Sequence, residues 1–132
     1  VGNPSVHKGA NAGSKNINKD NMFNSPDGIK FDSKGGLWIQ TDGKYSNTGD
    51  FAGMGNNQML YGDPKTGEIK RILVGTNEAE GTGLTWSIDY KTTFVGIQHP
   101  GEKGNSIWPD GPRTAPRSAI VAIRKNDGSR IG

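Results

Sequence analysis

Apolar and polar side chains alternate along most of the chain in short runs, and Gly, Pro, Asn and Asp separate the runs. A period of two over such lengths marks half-buried strands, and the 3.6-residue period of a helix is almost nowhere present. The alternation predicts strands over residues 28–31, 37–41, 58–61, 69–74, 83–88, 93–98 and 118–124. Turn sequences lie between them: Asp32 to Gly36, Asp63 to Gly67, Asp89 to Lys91 and Asn126 to Gly128. Each offers Gly, Asn or Asp where a positive backbone dihedral is favoured, and Pro64 presets its own.

The strands fall into two matching series. Gly28 to Asp32, a turn, then Leu37 to Gln40 aligns with Gly83 to Ser87, a turn, then Thr93 to Gly96, at an offset of 55 residues. Met59 to Gly67 aligns in the same way with Ala119 to Gly128. A four-strand unit recurring at this spacing reads as a β-propeller blade, since blades run about 40 to 50 residues. An antiparallel sandwich is the plainer alternative.

The predicted fold class is therefore all-β: antiparallel four-stranded blades of a propeller. A propeller closes with about four blades or more, so a chain of 132 residues holds an incomplete set of about two. The expected division is an extended arm or loop over residues 1–24, then two blades over 25–75 and 80–132, as the C-terminal fragment of a larger propeller. The second series stops at Gly132, where its fourth strand should begin. Long loops over residues 49–57 and 98–116 both follow a second strand, which puts them on the same side of the sheets. Loops of that size in a compact repeat are functional or disordered.

Composition sharpens this picture. The 21 Gly and 7 Pro make about a fifth of the chain, against roughly 12% in average proteins, as frequent turning requires. The longest apolar run, residues 119–123, is far short of the roughly 18 residues of a membrane helix, so no membrane span is expected. There is no Cys, hence neither a disulfide nor a thiolate metal site. The net charge of +3 comes from sixteen Lys and Arg scattered among thirteen Asp and Glu, a dispersed balance that argues against a nucleic-acid partner.

No nucleophile elbow, dinucleotide fingerprint, phosphate loop or zinc-protease motif occurs. What remains is a set of acidic residues beside Gly at strand ends: Asp27, Asp42, Glu80 and Glu102. Carboxylates from neighbouring strand ends can converge on a hard cation such as Ca²⁺, which wants several oxygen ligands. Asp27 and Glu80 precede the first strand of their units by one residue and by three, which would bring both to the same end of the propeller axis. Asp-Gly is also ordinary turn chemistry, and four such pairs occur. His99 at a strand end is a ligand or acid on one reading and a hydrogen-bonded structural residue on the other. Arg113 and Arg117 in a Pro-rich loop suit a bidentate phosphate clamp or plain solvation. Trp38, Trp86 and Phe94 lie on strand alternations and are expected in the core.

Residues 21–28, 36–43, 55–60, 66–69, 97–102 and 116–121 together resemble the C-terminal part of the PhoX-like family of bacterial alkaline phosphatases. The resemblance runs over nearly the whole chain. It implies a secreted or periplasmic parent several times this length, built on a six-bladed propeller, that hydrolyses phosphate monoesters at a cluster of Ca²⁺ and iron near the axis. Residue by residue it carries metal-ligand roles to Asp27, Asp42 and Glu80, with His99, Glu102 and Arg117 as phosphate or surrounding groups. The chain departs from the pattern at Ala79, where the family commonly has Cys, and at Gly81, which replaces a bulkier residue.

Two functions of different class follow. One is part of a metal-dependent phosphomonoesterase, inactive as an isolated piece; the other is a non-catalytic propeller interaction module, favoured by Ala79 and Gly81. A sugar-lactone hydrolase is a third, since those enzymes also use propeller blades and an axial Ca²⁺, although the stretch over residues 97–102 argues against it. The expected partners are the rest of the parent propeller, a phosphate monoester in the parent, and a second copy of the chain joined through open strand edges.

Overall fold

The computed structural model describes residues 16–43, 48–49 and 52–132, and these form seven strands and no α-helix. Strands β1 (Pro26–Phe31), β2 (Leu37–Thr41), β3 (Gln58–Gly62) and β4 (Ile69–Val74) make one sheet in chain order. Strands β5 (Glu80–Trp86), β6 (Thr93–Gln98) and β7 (Ala119–Ile123) make a second. Every pairing is antiparallel. Three strands match the alternation end for end. The others differ by a few residues, most at β5, which opens at Glu80 rather than residue 83 because Glu80 and Gly81 pair with Gln98 and Ile97.

The two-fold repeat is visible in the ladders. Ile29 pairs with Ile39 and Leu84 with Val95, so the first strands correspond at the predicted offset. Both contain an irregularity, between Pro26 and Ile29 in β1 and between Thr82 and Leu84 in β5. Gly28 and Gly83 occupy them. A bulge bends its strand and re-aims the side chains beside it.

Pleating sorts the central strand β2 between two cores. Leu37 and Ile39 face a cluster with Ile17, Phe23 and Leu60, so residues 16–24, which carry no strand, still pack under the first sheet. Residues 1–15, the rest of the expected arm, lie outside the described residues. Trp38 faces the other way, into a cluster with Met59, Leu84 and Val95 that joins the sheets. Edge-to-face contacts extend it, with ring centroids 5.4 Å from Trp38 to Tyr61 and 6.0 Å from Trp38 to Trp86. Phe94 is half-buried and joins neither cluster. Polar ties cross the same boundary: Lys30 Nζ donates to the Leu84 carbonyl at 2.7 Å and lies 5.4 Å from the Trp86 ring centre. No helix among the described residues is long and apolar enough to cross a membrane.

The strongest polar tie is Asn57, buried just before β3. Its Oδ1 accepts from Thr41 Oγ1 at 3.1 Å and from the Gly43 N–H at 2.7 Å, while its Nδ2 donates to the Ala79 carbonyl at 3.0 Å. One amide thus fixes the end of β2 to the segment that leads into β5. Asn57→Ala leaves these buried groups unpaired, at about 1–3 kcal/mol for each unsatisfied group. The expected result in urea unfolding is a midpoint shift corresponding to a loss of at least about 2 kcal/mol, and an unchanged midpoint would remove Asn57 from this role.

Candidate functional site

The acidic residues picked out above stand at one end of the two sheets. Asp27 lies inside β1, at the bulge, and Glu80 opens β5; neither precedes its strand as the sequence suggested, because ladder pairing runs past both. Asp42 follows β2 directly, held by its N–H to the Ser25 carbonyl at 3.1 Å. His99 follows β6, with its N–H on Ser118 Oγ at 2.9 Å. Strand ends therefore deliver Asp27, Asp42, Glu80 and His99 to a common place, two from each sheet.

The electrostatics of Glu80 reflect these neighbours. The Glu80 side chain, only 16% exposed, has its pKa raised: burial is the largest cause, followed by the Asp42 charge, a hydrogen bond with Asp42, and the more distant Asp27 charge. His99 acts in the opposite sense, with Nε2 3.6 Å from Glu80 Oε2. Burial and the neighbouring Asp42 carboxyl both disfavour the charged form of Glu80.

Beneath the carboxyls lies Gln40, a residue the sequence reading passed over. It is 4% exposed, and its Nε2 is buried without a hydrogen-bond partner. It faces the second sheet, as Trp38 does, wedged between two glycines. A Cβ at Gly28 would stand 2.9 Å from Gln40 Oε1, and one at Gly81 would meet its side chain at 3.8 Å. The Gly81 contact is ordinary, so a Cβ is accommodated there; the Gly28 contact is tight, and the end of the Gln40 side chain must shift to admit one. The available signal was a Gln in an apolar strand where every neighbour is buried. Two further buried polar atoms without partners border the cluster: His99 Nδ1, and Asn24 Oδ1 beside Gly43.

Glu102 is exposed in the loop after β6, and Arg117 is engaged elsewhere, its Nε and guanidinium nitrogen on the two Asp110 oxygens at 2.7 and 3.0 Å. Neither is among the groups acting on Glu80. Among the described residues no three His, Asp or Glu stand close enough together to hold a metal ion by themselves. In donor chemistry the cluster fits a hard cation: it offers carboxylates and an unpartnered amide oxygen, and the repulsion among the acids is what positive charge relieves. A thiolate contribution is excluded within this chain, where Ala79 is buried and its carbonyl serves Asn57.

Two blade-type antiparallel sheets with an acidic cluster where their strand ends meet define a propeller-based protein with a polyanionic site. The model of the family described as alkaline phosphatase PhoX matches residues 1–101, and the chain belongs to this family. A solved structure of Pseudomonas fluorescens PhoX in complex with vanadate, a transition state analogue, is 59% identical, covers 99% of this chain and superposes with a TM-score of 0.90. The chain spans 23% of the length of that protein. No curated protein matches the chain.

The raised Glu80 pKa has a sign that can be measured. Folding favours the protonated acid, so the contribution to stability is full below the unfolded value near 4.5 and is lost as pH rises through the folded value. Glu80→Gln removes the ionisation. In metal-free buffer its Tm should exceed that of the unsubstituted protein at pH 8 and equal it near pH 4; a difference that does not change with pH would contradict the assignment.

Proposed function

We propose that the chain is the C-terminal part of a metal-dependent phosphomonoesterase, to which it contributes two neighbouring blades and one arc of the active site. The observation that carries this reading is the convergence of Asp27, Asp42 and Glu80 in a chain 59% identical to an enzyme that binds vanadate, an analogue of phosphoryl-transfer geometry. In this reading Asp27, Asp42 and Glu80 hold Ca²⁺, with iron completing the centre on ligands from the rest of the propeller. Cations held there would supply positive charge for the phosphate oxygens and would acidify an attacking water. His99 orients Glu80, and Gln40 supports both acidic strands from below. Glu102 and Arg117 take part only by movement of the loop that carries them, since Asp110 already neutralises Arg117. The parent is an exported enzyme, periplasmic or secreted, and the isolated segment has no turnover of its own.

Ala79, where the family commonly has Cys, favours a second reading, a propeller retained for binding after its catalysis was lost. In the full-length enzyme, Asp27→Asn and Glu80→Gln separate the two. The first reading expects bound Ca²⁺, measured by elemental analysis, to fall, and kcat/KM on p-nitrophenyl phosphate to drop by about 100-fold. Metal content and activity both unchanged would sink it.

Open strand edges and outward apolar side chains also support pairing of the isolated chain with a second copy or with the remaining blades. Ile29 and Phe31 on β1 are 67% and 60% exposed, far more than a strand interior to a closed propeller would show. Sedimentation of the 132-residue chain should reveal dimers or larger species at high concentration, and a strict monomer would refute self-association.

A further inference from the structure

A concavity of about 420 Å³ lies at the same end of the sheets as the acidic cluster, between the β4–β5 connection and the loop before β7. Its polar lining is Asn56, Thr76, Asn77, Asn105 and Ser106, with Trp108 along one wall, and none of the described residues that line it is ionisable. A groove of this size is within the range of small-ligand sites, and its neutrality sets it apart from the acidic cluster.

The polar groups are already ordered. Asn56 Nδ2 donates to the Gly75 carbonyl at 3.1 Å and to Asn77 Oδ1 at 3.2 Å, which uses both of its hydrogens. Asn77 Nδ2 donates to the Asn105 carbonyl at 3.1 Å, and the Thr76 and Ser106 hydroxyls share a hydrogen bond of 3.1 Å. What is left for a ligand is the Asn56 carbonyl oxygen, one Asn77 hydrogen and hydroxyl groups that give or take. Hydroxyls, which donate and accept, match the inventory. The Trp108 backbone is pinned at both ends, its N–H on Ser106 Oγ at 3.2 Å and its carbonyl on the Arg117 N–H at 3.2 Å. Its half-buried ring joins no other aromatic among the described residues and offers a flat apolar face.

The groove is joined to the acidic cluster by the chain itself. Residues Thr76 to Ala79 form a turn closed by the Ala79 N–H on the Thr76 carbonyl at 3.2 Å, and Glu80 follows at once. Glu80 lies three positions after Asn77, a span of at most about 10 Å. We propose that this groove binds the hydroxylated part of a phosphate ester, a sugar or polyol, with its C–H face on Trp108 while the phosphate lies at the acidic cluster. This rests on the phosphomonoesterase reading above and extends it to the leaving group.

In the full-length enzyme the test compares glucose 6-phosphate with methyl phosphate, which has nothing to place in the groove. Trp108→Ala should lower kcat/KM for glucose 6-phosphate by about five- to tenfold, leave methyl phosphate within about twofold, and Trp108→Phe should restore most of the loss. Equal losses on both esters, or no loss on either, overturn the proposal. Binding is read separately by titrating D-glucose and following the Trp108 indole N–H resonance. A saturable shift, absent in Asn56→Ala, supports the groove even if no ester is hydrolysed, in which case the phosphatase reading fails alone; no shift overturns the groove itself.

Discussion

One buried amide holds the two sheets in the relation the site requires. Asn57 grips the N–H of Gly43, next to Asp42, and the carbonyl of Ala79, next to Glu80. The two carboxyls that interact most strongly are each one residue from an atom it holds. Side-chain packing around Trp38 brings the sheets together over a broad apolar area, but apolar contact is non-directional and leaves room to slide. Hydrogen bonds with fixed geometry remove that freedom. The division of labour runs along the strands: aromatic packing and Lys30 toward the hairpin end, Asn57 and Gln40 toward the end that carries the acids.

The acidic end is built against its own electrostatic preference. Glu80 is driven toward its neutral form by burial and by Asp42, and Gln40 brings a buried amide nitrogen without a hydrogen-bond partner. Unrelieved groups of this kind are uncommon in a fold selected for stability alone, and they collect where a site must accept charge. The remainder of the molecule shows the opposite pattern. At each tight turn the Asp, Asp32, Asp63, Asp89 or Asp127, accepts from the N–H two residues on. Acidic residues of identical type thus divide into those that close turns and those that face one another.

That division explains how much could be read from the chain alone. Strand positions, the two-fold repeat and the placement of Asp42 and His99 at strand ends follow from period-two alternation and turn chemistry, both local properties. Gln40 was missed because its significance is entirely non-local: it depends on Gly28 above it and Gly81 across the sheet boundary. Asp27 was set just outside its strand because a bulge has no sequence period. Residues 16–24 read as a polar arm, yet Ile17 and Phe23, spaced too irregularly for any element, are buried under the first sheet. Arg117 was a fair candidate for phosphate by type, but its partner Asp110 lies seven residues away in an irregular loop that no periodicity reveals.

The paired bulges carry a further consequence. Gly28 and Gly83 occupy corresponding places in the two repeats, yet different forces disfavour side chains there. At Gly28 the obstacle is Gln40, 2.9 Å from where a Cβ would stand; at Gly83 the surroundings are open and the obstacle is a φ of +51°. A methyl group at residue 28 would be tolerated if Gln40 became smaller, whereas no change of neighbour would help at residue 83. The two halves of the duplication have therefore ceased to be interchangeable parts: a segment transplanted from one blade to the other would keep its glycine and lose the reason for it.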